Sequence, residues 1–459
     1  MAKSKNKKTK KRFNNHQKAW VVAVDMGYGH QRAAYPLKGI AYGGKIINAS
    51  NYPGMPRSDR KIWRESKKFY EFISRFQRMP MIGRKVFDLF DKLQEILPFY
   101  PKRDLSKPNF QLREVDYLIK KNNWGKHLIS KMEKRPLPLV VTFSVPAMMA
   151  EIWGYSGEIY CVICDADISR TWVPPDPLGS RIKYFASNYR VVERLKLYGV
   201  KTENIFLTGF PLPPELTGGR FLGTLRNDLG YRLLNLDPKR KYIPHYHKTI
   251  VEHLGAHKCC PKKSNHPLTL MFAVGGAGAQ RDLGIEIVKS LSQKIKTNKI
   301  RIILVAGIRN EVNRFFRKNV RHLGLGGHLD KNIRTIFAAN REDYFRKFNR
   351  ALRTVDILWT KPSELSFYTA LGLPIIIAPP VGSQEEFNQK WLTTIGSGIL
   401  QEDARYTGEW LFDWLESGWF AEAAMQGFME GGKYGTYNIE KIIKHRVGEV
   451  KEVKTVLQY

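Results

Sequence analysis

The sequence predicts an α/β protein made of two doubly wound halves, and three observations carry that prediction. Short, continuously apolar runs at 20–24, 138–143, 159–164, 183–187, 268–274, 301–306 and 333–337 alternate with helix-length stretches. Such runs suit strands of a parallel sheet buried on both faces. A glycine-rich turn follows the first run of each half, 25–30 and 275–280, where a strand would hand over to a helix. Residues 356–390 then read as strand, polar turn, helix, strand and polar loop. That order sets two groups of hydrogen-bonding side chains at the carboxyl edge of a sheet, the edge where open α/β sheets bind ligands.

Composition bounds the rest. The chain has 459 residues, 43% of them apolar and 26% charged, enough for two domains with full cores. No run approaches the roughly 18 apolar residues of a membrane helix. The apolar run at 20–24 meets Asp25 at once, so the basic start has no signal-peptide core. The expected location is the cytoplasm, peripheral at the inner face of the membrane. Four cysteines make no disulfide framework, and Cys161 and Cys164 lie three apart on a strand, facing opposite ways. The formal net charge is +34, and residues 1–18 hold eight Lys or Arg with no acid. A surface this basic implies an anionic partner: a membrane leaflet, phosphorylated ligands or nucleic acid.

In chain order, residues 1–18 read as a basic disordered tail. Residues 19–215 form the first Rossmann-like domain. After the strand at 20–24 come Asp25, Gly27, Tyr28, Gly29 and His30, with two glycines for close backbone approach and His30 in the first helical turn. Residues 57–105 show apolar residues at helical intervals, split by Pro80 and Gly83 into two basic, aromatic amphipathic helices. They pack on the core or dip into an anionic membrane interface. Trp172 opens a proline-rich loop. Residues 216–266 break the pattern and read as a basic linker or insertion. Its His245, His247, His253, His257, Cys259, Cys260 and His266 include metal-ligand types, but their spacing fits no common finger. Residues 267–404 form the second domain. Gly275, Gly276, Ala277 and Gly278 make a turn whose backbone N–H groups suit a diphosphate. Pro362 and Ser363 suit a helix start, and Gly372 a helix stop. Residues 405–459 read as terminal helices.

These motifs also carry a resemblance. Gly27-x-Gly29-His30-x-x-Ala33-Ala34, Thr360-Lys361-Pro362, Gly372-Leu373-Pro374 and Gly382-x-Gln384-Glu385-Glu386-x-Asn388 resemble the family 28-type glycosyltransferases. That group contains monogalactosyldiacylglycerol synthases, bacterial diacylglycerol glucosyltransferases and the peptidoglycan-precursor N-acetylglucosaminyltransferase. The resemblance spans 20 to about 215 and 268 to about 400. It implies a GT-B fold, two facing Rossmann-like domains with an interdomain cleft, the last helices crossing back to the first.

The resemblance implies inverting transfer of a hexose, without metal or cofactor, from a nucleotide sugar as co-substrate to a hydroxyl acceptor. A UDP-sugar and a lipid or polyprenyl-linked acceptor are the favoured partners. Asp25 is the first candidate for the base that takes the acceptor proton, with His30 orienting the acceptor or acting as base itself. Gly27, Tyr28, Gly29 and Trp172 line the acceptor side. The donor side is Gly275, Gly276, Ala277, Gly278, Arg309, Ala338, Ser363, Glu364, Gln384, Glu385 and Asn388. In one departure, the family's ribose-binding Glu is Phe367 here, so Glu364 and Ser363 take that role from the turn. Two other classes stay open: a sugar-nucleotide epimerase, which uses the same fold, and a non-catalytic basic scaffold that binds nucleic acid.

Overall fold

The structure is a computed structural model that describes residues 18–76, 96–256, 261–273, 278, 280–380 and 383–449. It contains two six-stranded sheets, parallel throughout. The first has strand order β2-β1-β3-β4-β5-β6, the second β12-β11-β10-β7-β8-β9. The first comprises β1 (Ala19–Ala23), β2 (Ala41–Asn48), β3 (Leu139–Val141), β4 (Ile159–Val162), β5 (Lys183–Ala186) and β6 (Ile205–Leu207). The second comprises β7 (Thr269–Ala273), β8 (Arg301–Gly307), β9 (Ile333–Phe337), β10 (Ile357–Thr360), β11 (Ile375–Ile377) and β12 (Gly398–Leu400). The strand order reverses between β1 and β3, and again between β7 and β10. These two switch points place the turns after β1, β3, β7 and β10 at the positions where such sheets hold ligands.

β2 was not visible in the apolar pattern, because Gly43 and Gly44 interrupt it. Both take positive φ (62° and 67°), and the register against β1 shifts there, from Ala19 opposite Ala41 to Val21 opposite Ile46. This is a bulge, where glycine carries the left-handed backbone at no steric cost.

Residues 216–266 are more than the exposed linker expected of them. Helix Gly223–Leu236 buries Leu225, Leu229, Leu233 and Leu236 in the second core. Arg232, fully buried, donates to the carbonyls of Leu352, Val355 and Leu371. Its basic, broken sequence hid these contacts because the guanidinium is used as an internal clamp. Of the His/Cys group, His257, Cys259 and Cys260 lie outside the described residues. His266 pairs with Asp356 at 3.0 Å, and no His/Cys/Asp/Glu cluster suited to a metal occurs among the described residues.

The segment after β10 also differs from expectation. Glu364–Leu371 winds as a 3-10 helix, buried throughout, and ends at Gly372 with φ +66°. A 3-10 helix rises roughly 2.0 Å per residue against 1.5 Å in an α-helix. The eight residues therefore reach farther than an α-helix of the same length. Close packing demands the fit: a Cβ on Gly427 would collide with the Thr369 hydroxyl.

Of the two basic aromatic helices, the first is helix Arg57–Phe76, with Trp63 buried; residues 77–95, where the second was expected, lie outside the described residues. The final helix, Gly435–Glu449, lies on the first sheet. Its Ile439, Ile442 and Ile443 share a core with Val21, Val140, Val162 and Phe185. No described helix is long and apolar enough to cross a membrane.

Candidate functional site

The turn after β1 faces the turns after β3, β8 and β10. Gly27 takes φ +83°, which turns the chain so that Asp25 and His30 both face the cleft edge. Asp25 accepts from Lys67 Nζ at 2.9 Å and from Arg341 of the other half. Burial alone would raise its pKa, but the hydrogen bonds and charges of Arg341 and Lys67 outweigh it and hold the carboxyl below its ordinary range. Asp25 is therefore an anion that is already doubly paired.

His30 is different. Its Nδ1 lies 2.6 Å from the Thr142 carbonyl oxygen. A carbonyl only accepts, so Nδ1 carries the proton and Nε2 keeps its lone pair. The ring packs on Phe143 and Trp172, with centroids 4.8 and 6.1 Å away. Burial drives the pKa down to about 4, against the opposing pull of the Thr142 carbonyl and the Glu364 charge. The imidazole is thus neutral near pH 7, oriented, and able to accept a proton.

His30 lines a cavity of about 260 Å³ together with Met26, Trp63, Phe143, Asp165 and Trp172 of the first half and Gln384 of the second. Asp165 ends the β4 run. Burial raises its carboxyl to about 7, assisted by the Glu364 and Glu385 charges, while the Asn388 hydrogen bond and Lys361 pull the other way.

From the second half, Asn388 is fully buried and bridges the cleft. Its Oδ1 accepts from the Ala166 N–H at 2.7 Å, and its Nδ2 donates to Asp165 at 3.2 Å and to the Pro362 carbonyl at 3.1 Å. Glu385 pairs with Lys361. Ser363 precedes the 3-10 helix without capping it through its side chain. Glu364 accepts from Arg32 Nε at 3.0 Å, and its carboxylate sits 3.2 Å from where a Cβ on Gly29 would lie. Glu364 therefore ties the two halves together. Phe367 stacks on Phe210 with centroids 4.9 Å apart.

Tyr28 crosses the cleft as well: its hydroxyl accepts the Ile308 N–H at 3.1 Å. Arg309 follows, near Gly278, whose Cβ would lie 3.5 Å from Arg309 Cδ and 2.9 Å from Val312. Ala338 donates its N–H to the Gly307 carbonyl at 3.0 Å. Gly275, Gly276 and Ala277 lie outside the described residues. The structure thus brings Tyr28, Gly29, Glu364, Asn388 and Gln384 to one cleft, with Asp25 and His30 at its edge and Arg309 and Ala338 along the β8–β9 side. Four contributors were not singled out from sequence. Arg32, Lys67, Arg341 and Asp165 were given no role there. For Arg32 the signal was a lone charge in the small-residue helix Gly29–Ala34.

Residues 236–438 match a family model described as Domain of unknown function (DUF6938). A processive diacylglycerol beta-glucosyltransferase of Bacillus subtilis is 19% identical over 403 residues, 84% of each chain. One from Bacillus licheniformis is 21% identical over 405 residues, again 84% of each. The chain resembles the family 28-type glycosyltransferases. Its architecture is GT-B: two α/β halves, each on a six-stranded parallel sheet, with side chains of both lining one cavity. Among solved structures, an S. aureus MnaA–UDP co-structure aligns over 95% of this chain and 98% of that chain, at 11% identity and TM-score 0.46.

Proposed function

We propose that the protein is a glycosyltransferase that moves a hexose from a UDP-sugar to a hydroxyl acceptor carried on a membrane lipid, with inversion. The observation that carries this reading is His30: neutral, with Nδ1–H fixed on Thr142 O, at the wall of a cavity shared with Gln384. An acceptor hydroxyl in that cavity would give its proton to His30 Nε2 as its oxygen attacks the anomeric carbon. The bond from that carbon to the diphosphate oxygen breaks, and the diphosphate leaves. This reading prefers His30 to Asp25 as base, because Asp25 is already committed to Lys67 and Arg341. Gln384 and Glu385 would bind the sugar hydroxyls. The turn at 275–280 and Arg309 would face the leaving charge; the scheme uses no metal and no further cofactor. Helix Arg57–Phe76 exposes Arg57, Arg60, Lys61, Arg64 and Lys68 and also supplies Trp63 to the cavity. That supports peripheral docking on the anionic inner face of the membrane.

The test is a thermal-shift screen of UDP and UDP-sugars with the full chain, with and without anionic vesicles. Ligand at a hundred times its Kd adds about 2.7 kcal/mol of stability. A shift for one UDP-sugar that disappears in Gln384→Ala is expected. No shift for any nucleotide sugar would sink the reading and favour a basic nucleic-acid scaffold. A second reading, sugar-nucleotide epimerase, draws on His30 and Asp165, two groups lining one cavity, whose pKa values burial reverses in order, His30 down to about 4 and Asp165 up to about 7. Conversion of a UDP-sugar with no acceptor present would favour it.

A further inference from the structure

The edge of the second sheet opposite the cleft is a basic pole. In a parallel sheet the segments that enter the strands gather at one edge, and those that leave them at the other. Lys262 and Lys263 precede β7, Lys296 and Lys299 precede β8, and Lys331 precedes β9, whose second residue is Arg334; all six are exposed. The only acid in segments 261–268, 296–300 and 323–332 is Asp330. Arg317 holds it through two hydrogen bonds of 2.8 Å. We propose that this pole binds double-stranded nucleic acid through its phosphates, without regard to sequence. The inference is independent of the glycosyltransferase reading, whose ligands would enter at the other edge.

The cations form a fixed row. Asn332 Nδ2 donates to the Ile295 carbonyl at 3.1 Å and to Asn298 Oδ1 at 2.6 Å, which ties the segments before β8 and β9 together. The Arg317 hydrogen bonds, with the charges of Arg321 and Arg334, hold the Asp330 carboxyl below its ordinary range. Three guanidinium groups thus share one carboxylate and keep a surplus of positive charge. β7, β8 and β9 are neighbours in the sheet, and at roughly 4.8 Å per strand they spread the row over about 10 Å. One strand of a duplex passes about three phosphates in that rise. Arginine forks and lysine ammonium groups both pair with phosphate oxygens. A surface that only aids solubility would recur on the first half. There the matching segments carry Glu133, Glu158 and Glu203, and Glu158 pairs with Lys183.

Two observations favour a duplex over other anions. Interfacial docking on a membrane needs apolar side chains beside the charges. Among the described residues, none of the exposed large apolar side chains stands on these segments or on helix Asn310–His322, whereas Phe110 and Tyr117 are exposed on helix Phe110–Lys121 of the first half. The same lack of exposed rings removes the stacking platform that single strands use. What is left is contact with a phosphate backbone alone, which a duplex presents with its bases turned inward.

The experiment titrates the full chain into a short fluorescein-labelled DNA duplex, read by anisotropy over a range of salt. Four phosphate contacts give a slope of about 3.6 for log Kd against log salt, or about a 100-fold loss between 50 and 200 mM. The set Lys296→Gln, Lys299→Gln, Lys331→Gln and Arg334→Gln should lower the native slope by about 3.6, and the pair Lys331→Gln and Arg334→Gln by about half as much. Both variants should keep the native urea midpoint and any stabilisation by UDP-sugars. Vesicles of phosphatidylglycerol and phosphatidylcholine form the second arm, and their sedimentation with the chain should not change in either variant. A native chain that does not bind the duplex overturns the inference. Duplex binding with an unchanged slope in both variants also overturns it, by placing the contacts elsewhere, as on the basic residues 1–18. Loss of vesicle binding with duplex binding kept would make the pole a membrane surface and overturn it too.

Discussion

Replacing His30 by Gln should remove an acid-sensitive element of the fold, and the size of the effect follows from the site. In the folded protein the imidazole titrates near 4, against an ordinary 6.5. Between those values the folded state binds fewer protons than the unfolded chain, so this residue's contribution is intact at neutral pH and is lost as pH falls from 6.5 toward 4. Two such values give about 2 kcal/mol of lost stability between pH 7 and pH 5, and about 3 by pH 4. Asp165 works the other way, because its raised carboxyl favours the folded state as pH falls from about 7. The measurement is therefore a difference. Urea unfolding followed by tryptophan fluorescence is run at pH 7 and pH 5 on the native chain and on His30→Gln, which keeps a donor for the Thr142 carbonyl. The native protein should lose about 2 kcal/mol more than the variant over this interval. Equal losses would show that His30 is not held neutral, and the argument for it as a base would fall.

Other perturbations test the cleft. Arg32→Met leaves the buried Glu364 carboxylate without its cation and should cost about 3–5 kcal/mol by urea unfolding, while adding Glu364→Gln should restore much of it. Asn388→Ala removes three cross-cleft and turn hydrogen bonds. It should cost about 1–3 kcal/mol in thermal denaturation and weaken UDP-sugar binding in the same titration. The pH profile of transfer should be flat from pH 5 to 6, because His30 is already neutral there. It should then fall as Asp165 ionises near 7 between the Glu364, Glu385 and Lys361 charges, a limb absent from Asp165→Asn. A limb that persists in the variant would assign the titration to another group.

Much of the fold was legible because parallel strands buried on both faces write themselves as unbroken apolar runs. Nine of the sheet strands showed this way, β10 and β11 among them, and so did Gly372, whose positive φ requires its glycine. β2 and β12 were not, since Gly43, Gly44 and Gly398 interrupt or shorten their apolar pattern. For the site, residue types at strand ends pointed to the cleft, but pairing across it could not be read. Asp25 and Arg341 are 316 positions apart, and nothing local says that the carboxylate is neutralised. The same distance hid Glu364, whose partner Arg32 makes it a tie between the halves, and Asp165, whose environment is assembled from both. Phe367 is the converse case: its departure was visible, and its place in an aromatic stack with Phe210 was not.

The final helix has a consequence for how the protein is made. Ile439, Ile442 and Ile443 close the face of the first sheet that holds Val21, Val140 and Phe185, strands finished more than two hundred residues earlier. On the ribosome that face stays uncovered while the whole second half is synthesised. The first half therefore cannot reach its native state as an independent unit ahead of the second. Until the last turns emerge it exposes an apolar surface, the kind of intermediate that chaperones hold and that aggregates when they do not.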